Sequence, residues 1–286
     1  MGASIKFGVS TWLWTSPFTT ASIEPLFKKV AEMGFDAIEI AVEDPSQIDN
    51  DAVKKALKKY HLTPIVCGAF GSMRDLTHED PAIHLQCFQY IEDCLKCCKA
   101  WNAGFVAGPM YSAVGKTRML SAKKRKAEWD LAVQNLRIAC KMAAQYDLSL
   151  ALEPLNRFES DLVNTSKDIC RMVDEIGHPA AGIMLDSFHM NIEEADPYQA
   201  ILDAGDRLIH FQISENHRGI PGNGITPWNE YRRGLNAINY KGVVSIESFT
   251  PNSQELAEAV CIWHSFADSQ DEFAISGLQF MHQLFK

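Results

Sequence analysis

No stretch of this 286-residue chain approaches the ~18 consecutive apolar residues of a membrane span. A basic excess is also missing. Lys and Arg number 27 against 36 Asp and Glu, a formal charge of −9, which argues against a nucleic-acid partner, since those need a basic face. The start, MGASIKFGVS, lacks the apolar core of a secretory leader, so the eight cysteines are expected to be reduced thiols of a cytoplasmic enzyme. Cys94, Cys97 and Cys98 resemble half a zinc site but lack a second CxxC or HxxxH. They fall in a helical pattern and read as its buried face. No glycine-rich phosphate turn follows an early strand, since GVSTW is not one. No linker or low-complexity segment divides the chain, which reads as one domain, 1–286. Its single basic run, Lys123, Lys124, Arg125 and Lys126, precedes a helical pattern and reads as a solvated helix face.

What recurs is alternation. Short β-rich apolar runs at 5–11, 37–42, 64–68, 105–108, 148–153, 182–186, 208–212 and 243–247 are separated by amphipathic stretches. Those stretches lie at 23–33, 51–60, 83–100, 121–146, 166–176, 197–204, 228–238 and from 253 onward. Ser22 and Gly34 bracket the first helical pattern, and Pro197 suits a first helical turn behind Asp196. Eight strand–helix units in a domain-sized chain predict a single closed (β/α)8 TIM barrel of the α/β class rather than an open sheet.

Such a barrel carries its reactive groups at the carboxyl ends of its strands. LSLALE ends in Glu153, GIMLD in Asp186, LIHFQ in Gln212 and VVSIE in Glu247. Any one alone reads as readily as a helix cap or a loop residue. On four consecutive strands they converge, and three carboxylates there repel one another unless a cation lies between them. An oxygen-rich set suits Mn²⁺, Mg²⁺ or Co²⁺ better than a thiolate-loving metal. Around these ends lie Arg157 and Glu159, His189, and Glu215, His217 and Arg218 in SENHRGIPGNG. At the first strand end Trp12, Trp14 and Phe18 read either as an exposed sugar-stacking cluster or as a hydrophobic plug.

At these residues the chain resembles the D-tagatose 3-epimerase family, which includes the D-psicose and L-ribulose 3-epimerases. GPMYSAVGK (108–116), LEPLNRFESDLVNT (152–165), GIMLDSFHMNIEEADP (182–197) and SENHRG (214–219) carry the resemblance most strongly, and it spans nearly the whole chain. It implies a barrel holding one divalent ion, often Mn²⁺ or Co²⁺, through Glu153, Asp186, a histidine and Glu247. Glu159, His189 and Arg218 then fall on substrate-binding positions. The fourth ligand departs from the pattern: His-x-His becomes His210-Phe211-Gln212. Gln212 occupies the ligand position, and an amide oxygen binds later transition metals more weakly than imidazole does. A water in its place, or His210 on the same strand face, remain alternatives.

The implied reaction inverts C3 of a free ketose. Glu153 and Glu247 remove and return the proton on opposite faces through a cis-enediolate, and metal, His189 and Arg218 stabilise the oxygens. Other readings on this barrel are an aldose–ketose isomerase, a 3-keto-glycoside epimerase and a non-catalytic sugar-binding protein. A metal-dependent phosphodiester hydrolase would need a richer His/Asp cluster and a basic surface. The expected partner is a small ketose, with no nucleic acid or membrane, and the family resemblance adds a homodimer or homotetramer.

Overall fold

The computed structural model describes residues 5–286. Eight parallel strands close into a barrel in the order β1 to β8: β1 Lys6–Ser10, β2 Ala37–Val42, β3 Thr63–Gly68, β4 Phe105–Gly108, β5 Ser149–Leu152, β6 Ala181–Asp186, β7 Leu208–Ile213 and β8 Val243–Ile246. All eight expected strands are present, within a few residues of the expected bounds. β5 stops before Glu153 because Pro154, next in line, has no N–H to offer a ladder.

The connecting helices are α1 Ile23–Met33, α2 Asn50–Tyr60, α3 Pro81–Trp101, α4 Ala122–Gln145, α5 Ser166–Ile176, α6 Ser187–Glu193, α7 Pro197–Ala204, α8 Trp228–Ala237, α9 Gln254–Ala259 and α10 Gln270–Leu284. Local chemistry sets their starts. Asp49, Asp80 and Asp196 accept from first-turn amides of α2, α3 and α7, and Thr165 and Asp168 form a reciprocal capping box on α5. Gly34 ends α1 in the left-handed region at φ 95°, as expected, but Ser22 makes no cap.

Two features depart from the sequence reading. The stretch from 253 onward is two helices rather than one: Cys261 takes φ 58°, and Ser269 caps a new start by accepting from Glu272. A short helix, α6, follows β6 directly, with the Phe188 amide in its first turn capped by Asp186 itself.

Strand alternation sorts the side chains. On β7, Phe211 faces outward against Tyr231 of α8, while His210 and Gln212 face inward. Ala107, Ala151 and Met184 form an interior floor, with Phe105 and Ile209 packed against it. Met184 and Ala151 lie two residues before Asp186 and Glu153, so the polar layer sits one step nearer the carboxyl-end mouth. Cys94, Cys97 and Cys98 are buried on α3, and all eight cysteines are free thiols. The run Lys123–Lys126 is exposed on α4, as expected of a solvated face. Among the described residues no helix is long and apolar enough to cross a membrane.

Candidate active site at the barrel mouth

The four polar strand ends gather on one arc of the barrel, from β5 to β8. Asp186 and Gln212 are register partners on β6 and β7, and Glu153 and Glu247 flank them. All four are buried, none more than 5% exposed. Asp186 combines both roles open to a carboxylate at a strand end. Its Oδ1 accepts the backbone N–H of Phe188 at 2.9 Å and caps α6, while its Oδ2 turns to the cluster.

Arg218 reaches this arc from the loop after β7. Its Nη1 donates to Asp186 Oδ2 at 2.6 Å and to Glu247 Oε2 at 2.8 Å, and its guanidinium lies 3.9 Å over the Phe188 ring. Its backbone sits at φ 63°, a conformation that costs a β-carbon-bearing residue roughly 1–3 kcal/mol and persists where surroundings enforce it. The enforcement comes from Glu215. That buried carboxylate accepts from the backbone N–H groups of Asn216, Gly222 and Thr226 and from Trp228 Nε1. Burial opposes its ionisation, yet these donors hold its carboxyl below the ordinary range. Glu215 therefore shapes the loop that carries Arg218, and His217 beside it is exposed.

His189 stands on α6. Its Nδ1 accepts the backbone N–H of Asn156 at 3.1 Å, a closer donor than Arg218 Nη2, which lies 3.4 Å from Nε2, and this assigns the ring proton to Nε2. That nitrogen faces Glu153 Oε1 at 3.6 Å and Asp186 Oδ2 at 4.0 Å. Burial pushes its pKa down, so the ring is held neutral. Glu159 is half-buried, accepts from Asn156 Nδ2 at 2.8 Å, and lies near enough to act on the charge of His189 and Arg218. Arg157 turns outward to Glu193.

One guanidinium against three carboxylates leaves negative charge in surplus. Burial, then Glu247 and Asp186, push the Glu153 carboxyl well above its ordinary value. Burial likewise raises Glu247, to about 8, although Arg218 works against the rise. The donor set suits a hard divalent cation. An oxygen of Glu153 and one of Asp186 lie within 4.8 Å of each other, and Asp186 Oδ2 and Glu247 Oε2 converge on a single nitrogen, Arg218 Nη1, a spread that bonds of roughly 2.0–2.6 Å can span. Gln212 Oε1 is buried without any partner. A second group, Glu39, Cys67 and Glu247, is equally close-set, but burial and then the neighbouring carboxylates keep the Cys67 thiol protonated, and a thiol is no ligand for a hard ion.

Glu39 was missed by the sequence reading. It lies fully buried on β2, with Oε2 2.7 Å from His210 Nε2 and Oε1 accepting from Gln212 Nε2 at 2.5 Å. Its one signal was a lone acid within the apolar run AIEIAV. The aromatic cluster also needs correction. Phe18 is core against Phe27, and Trp14 binds Asp271 through Nε1; only Trp12, packed at 5.6 Å on Phe249, belongs with the mouth, and it is buried.

This geometry has counterparts. The family model of the xylose isomerase-like TIM barrel matches residues 27–265. A probable ketose 3-epimerase of Synechocystis sp. is 32% identical over 99% of this chain and 97% of its own. An L-ribulose 3-epimerase of Methylomonas sp. is 30% identical over 98% of this chain and 97% of its own. The crystal structure of a D-allulose 3-epimerase from Methylomonas sp. in complex with D-allulose superposes with a TM-score of 0.92 at 28% identity, covering 99% of this chain and 98% of that one. Barrel and mouth thus define a xylose isomerase-like TIM barrel. More narrowly, the chain belongs to the family of ketose 3-epimerases, whose named members are sugar epimerases of the isomerase class.

Proposed function

We propose that this protein is a metal-dependent ketose 3-epimerase that inverts C3 of a free keto sugar, with D-allulose- and L-ribulose-like ketoses as the first substrates to test. The observation that carries the reading is the pairing of Glu153 and Glu247. They stand on strands three steps apart around the mouth, and both have their carboxyl pKa raised by burial. Inversion needs a proton taken from one face of a carbon and returned to the other. Groups with pKa values near the working pH do this best.

Glu153, Asp186, Gln212 and Glu247 would hold the metal, Mn²⁺ by preference with Co²⁺ or Mg²⁺ as substitutes. When bound it supplies Lewis-acid polarisation of the carbonyl and of the oxygen beside it. The chain's own groups do the rest. One glutamate takes the C3 proton, giving a cis-enediolate, and the other delivers a proton to the far face. His189, neutral with its proton on Nε2, donates toward the developing oxyanion, and the Arg218 guanidinium supplies fixed positive charge beside it. Glu159, set by Asn156, accepts from a substrate hydroxyl.

Incubation with D-allulose or L-ribulose in D₂O tests the reading. Deuterium should enter at C3 with formation of the C3 epimer, activity should vanish on chelation, and Mn²⁺ or Co²⁺ should restore it. Full activity with no metal detectable would refute the metal assignment, and exchange at C1 without C3 inversion would point to an aldose–ketose isomerase.

A further inference from the structure

Nothing in the packing of β2 asks for an acid at position 39. The strand's outward face is Ile38, Ile40 and Val42, and the inward neighbours on the same strand are Ala37 and Ala41. A carboxylate buried among them is costly to desolvate, and no Lys or Arg is its hydrogen-bond or ion-pair partner. Its compensation is two donors on β7. His210 Nε2 lies 2.7 Å from Oε2, and because His210 Nδ1 is buried without a partner, the ring proton is assigned to Nε2, facing Glu39. Gln212 Nε2 donates to Oε1 at 2.5 Å.

An amide side chain fits its space equally well with oxygen and nitrogen exchanged, so its partners decide which way it lies. Here the NH₂ group is set between Glu39 Oε1 and Glu247 Oε1, the latter at 3.2 Å. The exchanged orientation would press a carbonyl oxygen against Glu39 Oε1 at the same close distance. As it lies, Oε1 is the atom left free, buried and without a partner.

We propose that Glu39 is a positioning residue that holds the Gln212 amide by its NH₂ group and thereby commits the carbonyl oxygen to the metal ion. The inference rests on the reading of Gln212 as a metal ligand. In that reading Glu247 turns its own oxygens to the ion, and Glu39 is the acceptor that stays. Groups that orient a metal ligand in this way are worth about 10- to 100-fold in metal affinity.

The test is a double-mutant cycle read by calorimetric titration with Mn²⁺ alone, on the wild type, Glu39→Gln, Gln212→Leu and the double variant. Glu39→Gln should weaken Mn²⁺ binding about 10- to 100-fold. In the Gln212→Leu background the same change should cost nothing further, because the residue acts only through the amide. A general weakening of the fold would instead lower affinity by the same factor in both backgrounds, and that result overturns the proposal, as does unchanged affinity in Glu39→Gln. Where Glu39→Gln does not fold, Glu39→Asp, one methylene too short to span both partners, takes its place in the cycle. A wild type that binds no Mn²⁺, or a Gln212→Leu protein that binds it as the wild type does, removes the ligand reading itself and this inference with it.

Discussion

Metal-free protein should lose stability as pH rises from 6.5 to about 8, a direction opposite to that of ordinary surface carboxylates. The cause is the surplus of buried negative charge at the mouth. Glu247 titrates near its ordinary 4.5 in the unfolded chain but at about 8 when folded, and Glu153 is raised in the same sense. Between those values the native state holds a proton that the unfolded chain has released, so stability falls by roughly 1–2 kcal/mol per pH unit for each such proton. Other groups fall outside the window. Carboxylates held below their ordinary values, such as Asp75, Glu215 and Asp271, add stability as pH rises, but only at or below about their unfolded-chain values of 3.8 to 4.5. His189, lowered by burial, opposes the trend only up to its unfolded value of 6.5. The buried thiols begin to matter only near 9. From 6.5 to 8, then, the buried glutamates set the slope, and the total loss is on the order of a few kcal/mol. Urea unfolding of chelator-dialysed protein across this range measures it. Saturating Mn²⁺ should abolish the slope, since a bound cation replaces the protons. Calorimetry in two buffers of different ionisation enthalpy should register their release on binding. A metal-free protein whose stability is flat or rising over this window, or metal binding that releases no proton, would refute the account of a mouth short of positive charge.

Three further outcomes are expected. Glu153→Gln or Glu247→Gln should each slow C3 exchange with D₂O by roughly 10²–10⁴-fold, assayed on variants that still carry metal; normal epimerisation by both would end the acid–base assignment. Gln212→Leu should weaken Mn²⁺ binding and Gln212→His should tighten Co²⁺ or Zn²⁺ more than Mg²⁺, whereas His210→Leu would be the severe change if His210 were the ligand; metal titration of all three decides. Glu215→Ala leaves four donors without their acceptor, Thr226 N–H fully buried and the other three part-buried, so unfolding should cost on the order of 3 kcal/mol less. Because Arg218 rides on that loop, KM should also rise, measured in the steady state.

The barrel was legible because each strand is a short apolar run and the long helices carry their own periods, several with their own caps, signals that are local. The candidate site was legible at Glu153, Asp186, Gln212 and Glu247 for a related reason: in a strand buried on both faces, the residue where the apolar run stops is the one the mouth receives. Legibility failed where a side chain's neighbours come from far along the chain. Trp14 and Phe18 sit in the same short segment as Trp12, yet Asp271 claims one and Phe27 the other. Glu215 looked like a mouth carboxylate, and only the path of its loop shows that its oxygens are spent on backbone amides and Trp228. Glu39 is the deepest case. Its partners His210 and Gln212 lie 171 and 173 residues away, and no periodicity in β2 distinguishes a carboxylate bound across the barrel from a misplaced charge. The resemblance implied an imidazole at the position where this chain carries the Gln212 amide. An amide has two chemically opposite ends, however, and the sequence does not say which end is left free. Closing the barrel brings β2 to β7, sets a carboxylate against the NH₂ group, and leaves the oxygen as the only end available for a cation.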